Sequence, residues 1–366
     1  MRVIVSGGGT GGHIYPALSI AQELRSRGAE VLYAGGYDSV EAELAVSYGF
    51  SFAPVSSAPL HRHSLKVVGD LLTNATGIAE AKKTVRNFGA DIAIGTGGFV
   101  TAPVLMAAQS LGIPTMIHEQ NAYPGLANRQ LAKKAQAVCL TFPAASAYFP
   151  HKERLYHTGL PVRPQIVSAA EGSIKEEAYE YFHIPTGERD MPTLLITGGS
   201  QGAMSINRAA AAAYDSLLAQ NCRIIHLCGK KNYDELRAKA PDNRLLILLP
   251  YLERMEYAMA LADLALARAG ASFLAEAAII GLPSLLIPYP YATNDHQTAN
   301  AREFSQAGAA IVISDNQLNG SVLAKEAGGI LFDKDRRARM REGALSLARP
   351  DAAAAIARIA EKIAGK

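Results

Sequence analysis

Arg2-Val3-Ile4-Val5-Ser6-Gly7-Gly8-Gly9-Thr10-Gly11-Gly12-His13 is the stretch whose reading decides the fold. Val3 to Val5 is an apolar, β-branched run of the kind that forms a buried strand. A loop of glycine and threonine follows. Pro16 then opens a helical pattern in which Ala17, Leu18, Ala21 and Leu24 share one face, with Gly28 where a C-cap belongs. Strand, loop and helix start aim backbone N–H groups and a positive dipole end at one point. That point suits an anionic ligand or negative charge developing in a reaction. Glycines let the backbone approach closely, and His13 stands at the mouth of the loop.

Gly7, Gly9 and Gly12 also fit G-x-G-x-x-G, the fingerprint of a dinucleotide fold. In that reading an Asp or Glu ends the second strand and holds the ribose. Here the second strand, Val31 to Ala34, runs into Gly35-Gly36 with no acid. A nicotinamide cofactor is therefore disfavoured.

The chain has 366 residues, 49% hydrophobic and 19% charged, which is material for two folded domains without disorder. A net charge of +3 is too mild to imply nucleic acid, and none is expected as a partner. Cys139, Cys222 and Cys228 lack metal-ligand spacing and read as reduced thiols of a cytosolic protein. No signal peptide is expected at the N-terminus, and no apolar run approaches the roughly 18 to 20 residues that span a bilayer.

Along the first half, apolar runs at Val3–Ser6, Val31–Ala34, Ile92–Gly95, Thr115–His118 and Ala137–Leu140 alternate with helical patterns, the grammar of parallel βα units. Leu60 to Leu72 combines Arg62, Lys66 and two histidines with Leu65, Val68, Leu71 and Leu72 at helical spacing. It reads first as an amphipathic helix on the sheet, with a surface for anionic lipid heads as the sharper reading. Gly159-Leu160-Pro161-Val162-Arg163-Pro164 reads as a hinge. After a charge-rich segment the opening grammar repeats: a strand Thr193–Thr197, the loop Gly198 to Ala203, and a helix from Ser205. Strands follow at Arg223–Leu227, Leu245–Leu248, Leu264–Ala267 and Ser284–Ile287, and a last helix at about Asp351 to Ala364. Two such halves predict an α/β protein of two Rossmann-like domains facing across a cleft.

Four clusters carry candidate chemistry: Thr10 to His13; Gly95-Thr96-Gly97-Gly98-Phe99; His118-Glu119-Gln120-Asn121; and Arg268 to Glu276 with Thr293 to Gln297. For the second, a tight turn and a ligand loop are equally good readings. A carboxylate such as Glu276 in a small-residue helix could accept both hydroxyls of a ribose. Asp333-Lys334-Asp335 superficially fits a metal-holding pair but lies in a charged stretch and reads as a solvated helix, so no metal and no cofactor is expected.

GGGTGGHIYPAL, GTGGF, IHEQN, GGSQGA, ARAGAS with Glu276, and NDHQTANA together, in this order, resemble the MurG family, the UDP-N-acetylglucosamine:lipid I N-acetylglucosaminyltransferases of bacterial peptidoglycan synthesis. One departure is visible: the hinge resembles that family's G-N-P-x-R, with Leu160 in place of the asparagine and Arg163 retained. The resemblance implies a GT-B fold, with residues 1–163 as the acceptor and membrane-facing domain, 164–345 as the UDP-GlcNAc domain, and 346–366 as a helix packing back on the first. It implies Ser200 at the donor diphosphate, the Leu252 backbone at the uracil edge, Ala271, Ser272, Phe273, Leu274 and Ala275 along the diphosphate and ribose, Glu276 on the ribose hydroxyls and Gln297 on the sugar. Thr10, Gly11, Gly12 and Asn121 would reach the donor sugar, with Arg163 closing from the hinge.

The implied reaction is attack of the muramyl 4-hydroxyl of lipid I on the anomeric carbon, with inversion, giving lipid II. His13 is the candidate base, since an ordinary imidazole is mostly neutral at cytosolic pH. Glu119 is the second candidate, acting directly or by orienting His13. The expected setting is peripheral, on the cytoplasmic leaflet of the inner membrane, with other cell-wall synthesis proteins as further partners. The alternatives are a GT-B transferase acting on another glycolipid, and a non-catalytic nucleotide-binding scaffold.

Overall fold

The computed structural model describes residues 1–59 and 67–365, which fall into two compact units: Met1–Val162 with Pro350–Lys366, and Arg163–Arg349. In the first, β1 (Arg2–Gly7), α1 (Gly11–Ser26), β2 (Glu30–Gly35), α2 (Val40–Ser47), β3 (Ser51–Pro54), α3 (Val67–Phe88), β4 (Ile92–Gly97), α4 (Thr101–Ser110), β5 (Thr115–Glu119), α5 (Leu126–Leu131), β6 (Ala137–Leu140) and β7 (Leu155–His157) follow in order. Their strands form one parallel sheet, β3-β2-β1-β4-β5-β6-β7. Val3 and Val5 enter one core with Ile14, Ala17 and Leu18, while Ile4 enters the other with Val104 and Leu105. This is why the run is continuously apolar: side chains alternate between faces, and both faces are covered.

The second unit holds α6 (Pro164–Ala170), α7 (Lys175–Tyr181), β8 (Thr193–Thr197), α8 (Met204–Leu218), β9 (Arg223–Leu227), α9 (Tyr233–Lys239), β10 (Leu246–Leu249), α10 (Met255–Leu261), β11 (Leu264–Ala267), α11 (Ala271–Ile280), β12 (Ser284–Leu286), α12 (His296–Gln306), β13 (Ala310–Val312), α13 (Gly320–Leu331) and α14 (Lys334–Ser346). Its sheet, again parallel, runs β10-β9-β8-β11-β12-β13. Leu194 and Ile196 of β8 pack with Ile206, Ala210 and Leu217 of α8 and with Leu323 and Ile330 of α13. The last helix, α15 (Ala352–Ile363), belongs to the first unit. Its Ile356, Ala357 and Ala360 share a core with Val3 and Ala17, and Arg27 forks onto Glu361 at 2.7 Å on both oxygens.

In each sheet the strand order reverses once, between β1 and β4 and between β8 and β11, and ligands of open parallel sheets gather at the carboxyl ends of such neighbours. The glycine loops after β1 and β8 sit there, as do the GTGGF and ARAGAS stretches after β4 and β11.

Several expectations shift. Pro16 does not open α1 but lies inside it, because the helix starts at Gly11 with Thr10 as N-cap, the Thr10 carbonyl accepting from His13 N and Ile14 N. Leu60 to Lys66 lie outside the described residues, while Val68, Leu71 and Leu72 lie on α3 and are exposed. The charge-rich segment before Pro192 folds into α6 and α7, whose Ala178 and Tyr179 pack with Tyr257 and Leu261. The short strands β3, β7 and β13 were not anticipated; each sits at a sheet edge, where one pairing partner suffices and little apolar sequence is needed. Leu160, at the asparagine position of the hinge pattern, is buried. All three cysteines are free and buried, and burial pushes the Cys139 and Cys222 thiols up to about 12. Among the described residues no helix is long and apolar enough to cross a membrane.

Candidate active site

In the first unit the turn after β1 and the turn after β4 are fitted to one another. A Cβ on Gly98, whose φ is +87°, would stand 2.2 Å from the Gly8 carbonyl oxygen, and one on Gly97 would stand 2.8 Å from Cδ2 of His13. Gly97 and Gly98 are therefore required by close packing of the turn against the first loop and the imidazole. Thr96 donates to the His13 carbonyl (2.7 Å), and Gln120 donates to the Thr96 carbonyl (2.6 Å), so the loop after β5 grips the first turn of α1 through Thr96. Thr10, Gly11 and Gly12 are exposed at the helix start, where Gly11 and Gly12 present N–H groups that have no intrahelical acceptor.

His13 Nδ1 lies 3.2 Å from the Gly8 carbonyl oxygen and 3.3 Å from Thr10 Oγ1. A carbonyl only accepts, so in the neutral ring Nδ1 carries the hydrogen and Nε2 is the basic nitrogen. Glu119 is 1% exposed, and its two oxygens accept from Asn121 N (3.0 Å), Gly125 N (3.2 Å) and Asn128 Nδ2 (2.8 Å). Burial pushes its carboxyl above the usual range, opposed by these hydrogen bonds. The carboxylate thus ties Asn121 and Gly125 into a fixed loop. His118 is fully buried, its Nε2 donating to the Gly159 carbonyl (2.9 Å) and its Nδ1 accepting from Gln120 (3.2 Å). Desolvation lowers its pKa to about 4.

Sequence reasoning missed Glu41. It is buried in the first turn of α2 and accepts from Gly9 N (3.3 Å) and Gly36 N (3.2 Å). The acid absent from the end of the second strand arrives six residues later and is spent on backbone. The only trace in sequence is the Ser39 cap ahead of it, whose hydroxyl accepts from Ala42 N.

In the second unit the loop after β8 is also closed by glycine. A Cβ on Gly202 (φ +74°) would meet the Cys228 carbonyl at 2.0 Å, and one on Gly198 would meet Ala203 N at 2.2 Å. Ser200 is exposed on this loop, and Leu252, just beyond β10, buries its side chain. Beneath the loop His226 donates to Asn207 Oδ1 (3.1 Å) and accepts from Tyr214, while Asn207 Nδ2 donates to the Cys228 carbonyl (2.9 Å). Desolvation lowers the His226 pKa to about 3, so this network is neutral.

Gly270 caps α11, with Leu274 N returning to its carbonyl (3.1 Å). The N–H groups of Ala271, Ser272 and Phe273 are the open first turn, a ready anion site. Leu274 is fully buried and anchors the helix, with Ala275 and Glu276 partly exposed beside it. Arg163, the N-cap of α6, donates from Nε (3.3 Å) and Nη2 (3.2 Å) to Glu276 Oε1. Burial raises the Glu276 carboxyl, Arg163 opposes it, and Glu256 adds to the rise. Gln297, in the first turn of α12, accepts from Tyr289 N at 2.9 Å, which orients its amide nitrogen outward as a donor. Asn294 and Asp295 before it both have positive φ, +53° and +52°, a strained pair of the kind that clusters at ligand loops. Arg268 of the ARAGAS stretch has a structural role. It latches Asp315 (2.5 Å), Ser205 (3.0 Å) and the Ile287 carbonyl (3.2 Å), fastening α8 to the ends of β11 and β12. Asp333 is the N-cap of α14, accepting from Arg336 N at 2.9 Å.

The structure therefore joins Thr10 with His13, Glu119 with Asn121, and Arg163 with Glu276. Ser200, Leu252, the α11 start and Gln297 sit on four separate stretches of the second unit.

Residues 3–140 match the glycosyltransferase family 28 N-terminal domain and residues 193–358 the family 28 C-terminal domain. The UDP-N-acetylglucosamine--N-acetylmuramyl-(pentapeptide) pyrophosphoryl-undecaprenol N-acetylglucosamine transferase of Halothermothrix orenii is 42% identical, over 96% of this chain and 95% of the relative. The enzyme of the same name from Desulforamulus reducens is 41% identical over 99% of both chains. Among solved structures, Acinetobacter baumannii MurG superposes with a TM-score of 0.79 at 28% identity, over 99% of each chain. Two Rossmann-like units with this pattern make a GT-B glycosyltransferase, and the chain belongs to the MurG family of UDP-N-acetylglucosamine--N-acetylmuramyl-(pentapeptide) pyrophosphoryl-undecaprenol N-acetylglucosamine transferases.

Proposed function

We propose that this chain transfers N-acetylglucosamine from UDP-N-acetylglucosamine to the 4-hydroxyl of the N-acetylmuramyl sugar of lipid I, with inversion, to make lipid II. The observation that carries the reading is the open first turn of α11 with Glu276 in its second turn, a diphosphate and a ribose acceptor on one helix. In this reading Ala271, Ser272 and Phe273 N–H groups and the helix dipole take the charge of departing UDP. Ser200 adds a hydroxyl, the Leu252 backbone meets the uracil, and Gln297 donates to a sugar hydroxyl. Thr10, Gly11, Gly12 and Asn121 serve the sugars from the first unit.

His13 Nε2 takes the proton of the 4-hydroxyl as its oxygen bonds to the anomeric carbon. The bond from that carbon to the UDP oxygen breaks, and UDP leaves with the electron pair. The Gly8 carbonyl supports the imidazolium through Nδ1–H. Glu119, with both oxygens engaged by its own loop, serves better as a positioning residue for Asn121 than as the base. The exposed Val68, Leu71 and Leu72 on α3 support a peripheral seat on the cytoplasmic leaflet, where the lipid-linked acceptor lies.

The test is UDP release by purified protein given UDP-N-acetylglucosamine and a short-chain lipid I analogue, with EDTA present. UDP formed only when acceptor is added is the expected result. No turnover with EDTA, restored by magnesium, would bring Asp333 and Asp335 back as a metal question. No turnover either way, despite donor binding, would move the acceptor to another glycolipid.

A further inference from the structure

Glu256 was not singled out by its sequence context, yet it has the least exposed carboxylate of the charged row beside Glu276. It lies in the first turn of α10 with its side chain 3% exposed. Arg254 Nε lies 2.5 Å from its Oε1, and Arg163 Nη1 lies 3.7 Å from its Oε2. Arg163 in turn places Nε and Nη2 on Oε1 of Glu276. The four side chains form an alternating row, Arg254, Glu256, Arg163, Glu276, across the packed helices α6, α10 and α11. An acid that only complemented the helix dipole could remain in water. Burying a carboxylate costs free energy that its partners must offset, so the placement of Glu256 against Arg163 is a specific arrangement.

The row has a directional consequence. Arg163 spends one edge of its guanidinium on Glu276 and the far nitrogen on Glu256, so the plane is held from both sides. Both contacts to Glu276 fall on Oε1, and Oε2 accepts no hydrogen bond from any described residue. We infer that Glu256 is a positioning residue for the nucleotide: by anchoring Arg163 opposite Glu276 it fixes which carboxylate oxygen is offered to the ribose diol. The inference rests on the reading of Glu276 as the ribose acceptor.

The experiment measures binding of UDP and of 2′-deoxy-UDP to the full chain by calorimetry, in wild type, Glu276→Gln, Glu256→Gln and Glu256→Asp. The quantity of interest is the ratio of the two Kd values, which reports the ribose contact and which general loss of packing would leave alone. Wild type should favour UDP by about tenfold or more, as expected for a hydrogen bond to a charged group. Glu276→Gln should bring the ratio close to one. Glu256→Gln should lower it at least threefold, with a raised KM for donor and a kcat within a factor of about three. Glu256→Asp keeps the charge with a shorter reach and should fall between. An unchanged ratio in Glu276→Gln would overturn the ribose reading itself. A ratio that collapses in Glu276→Gln but holds in both Glu256 variants would overturn the positioning role alone. Should Glu256→Gln fail to fold, Glu256→Asp carries the same decision.

Discussion

Acidification should weaken the first unit through one side chain, His118. The ring is buried neutral, with Nε2 donating to the Gly159 carbonyl and Nδ1 accepting from Gln120, and its pKa falls from an ordinary 6.5 to about 4. A histidine with a depressed folded pKa contributes stability above the unfolded value and loses it as pH falls toward the folded value. The window is therefore pH 6.5 down to about 4, and the full loss is about 3 kcal/mol. Between pH 7.5 and pH 5 about 2 kcal/mol of this is lost, which for a unit of about 150 to 250 residues means about 4 to 8 °C in Tm. Scanning calorimetry of wild type and His118→Gln at both pH values isolates the contribution. His226, in the second unit, is also buried neutral and provides a background common to both proteins. The variant should start less stable and lose less on acidification. If it loses as much as wild type, the neutral buried ring is the wrong description. Imidazole carbon shifts give an independent reading: the His118 signal should hold its neutral position down to about pH 5.

His13→Ala should lower kcat by about 10²- to 10⁴-fold while the Kd for donor changes less than about threefold, read by steady-state turnover and calorimetry. Equal losses in both would remove His13 as the base. Gly98→Ala forces a Cβ to 2.2 Å from the Gly8 carbonyl at a φ of +87°. It should cost about 2 kcal/mol or more and impair turnover by shifting the turn that backs His13; a Tm within 1 °C or so of wild type would contradict that packing. Asp333→Ala removes the cap of α14 and should cost about 0.5 to 2 kcal/mol in urea unfolding, with no change in EDTA sensitivity of turnover.

Much of this was legible because the motifs coincide with places where backbone itself does the work. Val3 to Val5 and Thr193 to Thr197 announce buried parallel strands, and the glycine loops after them announce tight approaches. The GTGGF glycines left two readings open that the chain order alone does not separate, since the atoms that Gly97 and Gly98 would strike belong to His13 and Gly8, about 90 residues away in sequence. Glu41 stayed hidden for the same reason, as did the contacts of Thr96 and Gln120 within their quoted clusters: each acts on a backbone group brought near by sheet order. The start of α1 was misread because proline usually marks a first turn, whereas here Thr10 caps earlier and Pro16 rides within. Glu256 was invisible because a glutamate at a helix start ordinarily needs no explanation.

The return of α15 to the first unit makes residues 163 to 349 topologically an insertion within that unit. During synthesis the inserted unit has all its strands before the host is complete. Ile356, Ala357 and Ala360, which cover the α1 face of the host core, emerge only after the whole inserted unit. Until they do, that face lies bare. The host unit is consequently completed only after the inserted one, although its first strand precedes every strand of that unit.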